Sequence, residues 1–149
     1  MDLWRFKVRG AKEISAALQL YDFDFKTWSR IVQDIENPKA RKVYLEQGRI
    51  VMAYENQLVN RIAGKANRTL FAGTKCLIVN SPILESQVGN ALVKRKSPIG
   101  IILYYDGGGI KFSLRSQGAT DVSRIAKRFG GGGQQHAAGF YTKRKLRLF

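Results

Sequence analysis

Two hydrophobic rhythms divide this sequence, and the change between them near Gly64 limits the folds open to it. Before that point the apolar residues keep helical spacing. Ile14, Ala17 and Leu18 share one stripe over residues 11–20, and Trp28, Ile31, Val32 and Ile35 share another. Asp24 suits the N-cap of the second stripe. Asn37-Pro38 ends it, because a proline disfavours the helical conformation in the residue before it. Val43, Ile50, Val51, Tyr54, Leu58 and Ile62 then predict a longer helix over residues 39–62, with Gly64 as its stop.

Beyond residue 66 the period shortens. Residues 69–71 and 75–80 read as strands around Ala72-Gly73-Thr74, and Ser81-Pro82 turns the chain. Residues 84–93 read as a helix in spite of Gly89. Residues 99–105 and 110–114 are β-rich runs joined by Asp106-Gly107-Gly108-Gly109, a hairpin signal. Asp121 opens a short helix that turns Val122, Ile125, Ala126 and Phe129 inward. Four glycines follow, then a predicted brief helix over residues 134–138 and a strand at Phe140-Tyr141. The expected fold is α/β: an N-terminal helical arm over residues 1–66, packed on a small mixed β-sheet flanked by helices in residues 67–149.

Charge narrows the partners. Twenty-six Lys and Arg against eleven Asp and Glu leave a formal net charge of +15. Such an excess favours phosphate-bearing ligands first and anionic membrane surfaces second, while a basic protein with no specific ligand is the plain alternative. No apolar run approaches the roughly 18 residues needed to span a bilayer, and MDLWRFKVRG has no signal-peptide core. The expectation is a cytoplasmic protein that does not act on membranes. Cys76 is the single cysteine, so no intrachain disulfide forms, and its place in Cys76-Leu77-Ile78-Val79 reads as a buried thiol in a strand.

The candidate chemistry lies between Lys111 and Phe140. Glycine loses more chain entropy on ordering than any other residue, so Gly130, Gly131, Gly132 and Gly133 in a row need a reason. They form either a plain loop or a close backbone approach to an anion. Arg115 ends the β-rich Ser113-Leu114-Arg115-Ser116. It can fork onto a phosphate with help from Ser116, or stand solvated at the surface. His136, the single histidine, can meet a phosphate or a base, or cap a short element. Asp22-Phe23-Asp24 has the spacing of a metal-binding pair but reads as helix capping. Tyr104, Tyr105, Phe112 and Phe140 flank the candidate site. One of them can stack a base, although core packing accounts for most of them.

These residues carry a resemblance. Ser113-Leu114-Arg115-Ser116, Asp121-Val122-Ser123-Arg124-Ile125-Ala126, Phe129 through Gly133 and Ala137-Ala138-Gly139-Phe140 resemble the signature of the DHH-associated C-terminal domain of DHH-family phosphoesterases. That family includes single-strand exonucleases, oligoribonucleases and cyclic-dinucleotide phosphodiesterases. Asp2-Leu3-Trp4-Arg5-Phe6 and the strand end at Val79-Asn80 are similar to the family's central region. The resemblance implies a ligand site of Arg115, Ser116, Gly131, Gly132, Gly133, Gln134, Gln135, His136 and Asn80, with the glycines against a phosphate or sugar and Arg115 on a phosphate. One departure matters. Gln134 stands where the family has a histidine; an amide donates a hydrogen bond but carries no charge. On a short helix His136 would compensate only in part.

The family hydrolyses phosphodiesters at a two-metal centre built from an Asp-x-Asp pair, further aspartates and an Asp-His-His triplet, which one histidine cannot supply. The expectation is therefore a domain without catalytic residues or a metal of its own, manganese entering only with a separate catalytic half. It would hold an oligonucleotide, single-stranded nucleic acid or cyclic nucleotide. The alternative is the substrate-binding half of a split or truncated phosphoesterase. A homo-oligomer is open as well. The basic Lys143-Arg144-Lys145 and Arg147 either grip a nucleic-acid backbone or form a solvated tail, and Lys94-Arg95-Lys96 makes a second basic cluster.

Overall fold

The computed structural model describes residues 8–143. Asp2 to Phe6, and the basic tail beyond Lys143, lie outside them. The chain divides into two compact units, the first ending at Gln57 and the second beginning at Leu58.

The first unit is helical. Helix α1 (Ala11–Ala17) runs into a single 3-10 turn, Leu18–Leu20. Helix α2 (Phe25–Glu36) begins at Asp24, whose side chain accepts from the Thr27 amide at 2.9 Å. Asn37 breaks the chain and caps the next helix, accepting from the Lys39 amide at 2.9 Å, and Pro38 occupies the first helical position, where no N–H is needed. Helix α3 (Pro38–Gly64) is one continuous element. Ala17, Ile31 and Tyr44 form the small core of this unit, and Tyr44 donates to Asp34 at 2.7 Å. Burial and that bond push the Tyr44 phenol up to about 12. A Cβ at Gly48 would stand 1.8 Å from the Glu13 carbonyl oxygen, so glycine lets α3 cross α1 closely. Val32, Val43, Ile50 and Tyr54, expected on buried stripes, are exposed. Tyr44 takes the inward place on α3, one position after Val43.

The second unit is a mixed six-stranded sheet in the order β1-β2-β3-β4-β6-β5 with helices on both faces. Strands β1 (Asn67–Phe71) and β2 (Thr74–Asn80) form a hairpin through Ala72 and Gly73, both at positive φ. Helix α4 (Glu85–Lys94) carries the chain across to β3 (Ile99–Tyr105), parallel to β2. Strand β4 (Ile110–Ser116) returns antiparallel, helix α5 (Val122–Arg128) follows, and β5 (Gly132–Gln134) and β6 (Ala137–Thr142) close the sheet. The last two turns of α3 belong here: Val59 and Ala63 pack with Val79, Val88, Leu92 and Ile102. The division therefore falls inside α3, upstream of the expected residue 66, because these turns bury their apolar side in the second core.

Strand alternation assigns each side chain to a face. Cys76, Ile99, Ile101, Leu114, Ala138 and Phe140 point to the α5 side with Val122 and Ala126. Leu77, Val79 and Ile102 point to the α4 side. Cys76 is buried, and burial pushes its thiol up from the ordinary range, as its place in an apolar strand led us to expect. Phe112 and Phe140 stack at 4.5 Å between ring centroids, with Phe71 and Phe129 extending the stack. Phe140 lies in the core and Phe112 packs half-buried against it, so both rings turn their faces to the stack and away from the α4 side.

The expected helix over residues 134–138 does not form. Gly132, Gly133 and Gln134 pair instead with Gly139, Ala138 and Ala137, leaving Gln135 and His136 as a tight turn. The carbonyls of that turn are tied down: Gln135 O accepts from the Val122 amide at 2.9 Å and His136 O from the Ser116 amide at 3.2 Å. These long-range bonds outweigh any helical tendency of so short a segment.

Candidate ligand site

Register brings part of the sequence-derived set together. Arg115 on β4 lies opposite Ala137 on β6, which lies opposite Gln134 on β5. Directly opposed residues point to the same face, so Arg115 and Gln134 share the α4 side at two strand spacings, about 10 Å between Cα atoms. The next row on that face is Ser113, Gly139 and Gly132. Beyond α4, then, the sheet presents a shelf floored by Ala137, Gly139 and Gly132, with Arg115 along one end. A ligand can approach the backbone there, because nothing larger than a methyl group stands on the floor. As an edge strand, β5 also turns part of its backbone away from the sheet.

Helix α4 positions the arginine. A Cβ at Gly89 would lie 2.6 Å from Arg115 Cγ, so only glycine lets the arginine stem pass beneath the helix. Gly100 has the matching role on β3, where a Cβ would stand 2.7 Å from the Gly89 carbonyl oxygen. The guanidinium donates to the Leu114 carbonyl at 3.0 Å and to Ser86 Oγ at 2.8 Å. It forms no ion pair among the described residues. Burial lowers its pKa, and the charge of Glu85 opposes that shift. Two bonds hold the fork while leaving donors for an anion, since a guanidinium carries five N–H groups.

Glu85 completes this flank. It pairs with Lys111 at 3.0 Å and accepts from Ser113. The Glu85 bond is the main cause of the raised Lys111 pKa. Lys111 also stands 5.4 Å from the centre of the Tyr104 ring. Glu85, Ser86, Lys111 and Gly89 were not among the site residues legible in the sequence. The one available signal was Gly89 itself, a glycine inside an otherwise regular helix.

The glycine run divides by function. Gly130 and Gly131 end α5: their amides donate to the Lys127 carbonyl at 3.1 Å and the Ala126 carbonyl at 2.9 Å. These two N–H groups are spent, so the run is not one continuous anion nest. Added Cβ atoms at Gly131 and Gly133 would lie 2.1 Å and 2.5 Å from the carbonyl oxygens of Gly139 and Ala137. Gly132 alone faces the shelf with open space above it.

The remaining candidates lie elsewhere. Ser116 is buried and donates to the Thr120 carbonyl at 2.7 Å, and His136 Nδ1 sits 3.2 Å from the same hydroxyl. Both belong to the end of the sheet near α5, so His136 does not replace the missing charge at Gln134. Gln135 occupies the tight turn beside His136. Asn80 pairs with Leu103, itself opposite Phe112, which places it three register positions and two strands from Arg115 and on the other face. A separate cavity of about 440 Å³ lies beside Asn80 and Leu103. Asp24 spends its carboxylate on capping, the Thr27 bonds holding it below the usual range. Among the described residues no three His, Cys, Asp or Glu side chains converge. This donor set does not fit the two-metal centre of the phosphoesterases. Nor is any described helix long and apolar enough to cross a membrane.

The sequence profile of the DHHA1 domain matches residues 71–148. An uncharacterised protein of Acanthamoeba polyphaga mimivirus is 31% identical over 149 aligned residues, covering 93% of this chain and 34% of that protein. The chain thus spans about a third of the length of the curated relative it matches. Among solved structures, the pGpG-specific phosphodiesterase PggH of Vibrio cholerae superposes with a TM-score of 0.56 at 8% identity, over 89% of this chain and 52% of that one. At that identity the likeness shows the fold alone. An exopolyphosphatase-related protein of Bacteroides fragilis aligns over 74% of this chain and 40% of its own length, with 16% identity and a TM-score of 0.41.

Proposed function

The chain belongs to the DHHA1 domain family, and from that premise we propose that its second unit holds a phosphodiester ligand on the shelf beside Arg115 without cleaving it. The observation that carries this reading is the single face shared by Arg115, Gln134 and a glycine-and-alanine floor. Arg115 supplies the charge, fixed by Ser86 and the Leu114 carbonyl for a bidentate approach to a phosphate. Gly132 allows sugar or phosphate to lie against backbone. Gln134 supplies an amide in place of an imidazole, which orients a ligand without adding charge. The net charge of +15 raises the rate of encounter with any such anion. The pGpG specificity of the Vibrio protein makes a linear dinucleotide the first ligand to try.

The test is binding of labelled dinucleotides, cyclic dinucleotides and short single strands in the presence of Mn²⁺, with the ligand recovered afterwards. Arg115→Ala should weaken binding about tenfold or more, since hydrogen bonds to a charged group contribute about 1.5–3 kcal/mol. Intact recovered ligand supports binding alone. Metal-dependent cleavage by the chain overturns it.

A second reading keeps the site and gives it to an enzyme: the shelf presents substrate to a metal-bearing DHH part. The Vibrio phosphodiesterase, of which this chain covers 52%, supports this reading. Hydrolysis seen only after a DHH-bearing partner is added would decide for it.

A further inference from the structure

The second unit has another basic cavity, on the opposite flank of α4 from the shelf. It has a volume of about 630 Å³, and its lining includes Arg68, Lys75, Arg95 and Lys96 but no carboxylate. The cations come from two segments distant in sequence, the β1–β2 hairpin and the loop between α4 and β3. Arg68 lies opposite Leu77, which pairs with Gly100, which lies opposite Arg115. Arg68 and Arg115 therefore occupy one cross-strand row on one face, three strand spacings or about 14 Å apart. Helix α4 lies between them, and its last turn leads into Arg95 and Lys96.

Helix ends attract cations, and this accounts for Arg95, whose Nη1 donates to the Ala63 carbonyl at 2.6 Å, near the end of α3. That explanation does not reach Arg68 or Lys75, which are on strands. The end of α4 attracts the Lys96 charge in the same way, but it does not account for the backbone conformation of that residue. Lys96 closes α4 at φ +62°, with its amide donating to the Val93 carbonyl, in the left-handed conformation that favours glycine. Lys96 thus lines the cavity from a backbone conformation that costs a lysine more than a glycine.

We infer that this cavity is a second phosphate site and that the ligand is a single strand of nucleic acid several nucleotides long. One phosphodiester lies on the Arg115 shelf, and the strand runs past Lys96 to set further phosphates among Arg68, Lys75 and Arg95. The inference rests on the proposed phosphodiester ligand, but it makes a separate demand: affinity must rise with strand length because of residues outside the shelf.

The experiment compares a dinucleotide with a longer single strand across a salt series, for the native chain, Arg68→Ala/Lys75→Ala, Lys96→Gly and Arg115→Ala. Each phosphate contact on a single strand contributes about −0.7 to the slope of log K against log salt. The double variant should flatten the long-strand slope by about 1.4 and leave dinucleotide affinity unchanged. Lys96→Gly should raise the melting temperature while weakening the long strand alone, a combination that misfolding cannot produce. An unaltered long-strand slope in the double variant, or no binding of the strand by the native chain, overturns the inference. Strand binding that falls in the cavity variants but ignores Arg115→Ala would keep the cavity and sink the shelf.

Discussion

The two faces of the sheet in the second unit are built from the same strands to opposite ends. Toward α5, Phe71, Phe112, Phe129 and Phe140 stack over Leu114, Val122 and Ala126. Toward α4 the strands at the β5 end of the sheet carry Ala137, Gly139 and Gly132, with Arg115, Lys111 and Glu85 along the flank. Large rings fill one side so that the other can stay bare without loss of a core. The difference shows that the glycines near residue 130 do not act as one loop. Gly131 and Gly133, whose missing Cβ points into neighbouring backbone, are required by packing, Gly130 closes α5 at positive φ, and Gly132 stands over open space on the shelf side.

Substitutions on each face probe this contrast. Phe140→Ala should have the largest effect, a loss of about 3–5 kcal/mol of stability seen by denaturant unfolding, because it removes the ring common to the stack. Gly131→Ala comes next. Its methyl group meets the Gly139 carbonyl and the Phe140 stem, so a loss of about 1–3 kcal/mol is expected. Gly132→Ala, one residue on, separates the two roles. Stability should hold or rise by up to about 1 kcal/mol, since the added methyl finds no clash and the unfolded chain loses freedom, while ligand affinity falls. Equal destabilisation by both alanines would erase the distinction.

Gln134→His should give the smallest change. An imidazolium beside a bound phosphate has its pKa raised by the ligand, so the affinity gain is present below about pH 6.5 and fades as pH rises through the raised value. A gain of roughly twofold to fivefold at pH 6, absent at pH 8, would correspond to about 0.4–1 kcal/mol. A pH-independent change would place residue 134 away from the phosphate.

Much of the local structure could be read directly from the residues. Asp24 and Asp121 start α2 and α5 as their side chains suggest, and Asn37-Pro38 separates α2 from α3. The Asp106-to-Gly109 turn joins β3 and β4, with Asp106 accepting from the Gly108 and Gly109 amides. The first four short apolar runs became strands within two residues of their expected limits, and the strand expected at Phe140-Tyr141 begins three residues earlier, at Ala137. The Ser-Leu-Arg-Ser and glycine motifs marked the right end of the chain for a family assignment that its profile supports.

Other features depended on partners that no local window contains. The segment over residues 134–138 became a hairpin because the Val122 and Ser116 amides claim its turn carbonyls. Asn80 and Arg115 both stand near strand ends, but opposite ends and opposite faces. His136 points toward Ser116 while Gln134 shares a face with Arg115. Caps, turns and hydrophobic period act between residues a few positions apart, so the elements and the family motif were already legible along the chain. Which side chains meet on one face depends on strand register and on how closely α4 can approach the sheet. Those long-range contacts alone let Gly89 admit the stem of Arg115, set Glu85 and Ser86 beside it, and left a single glycine in a run of four open above the shelf.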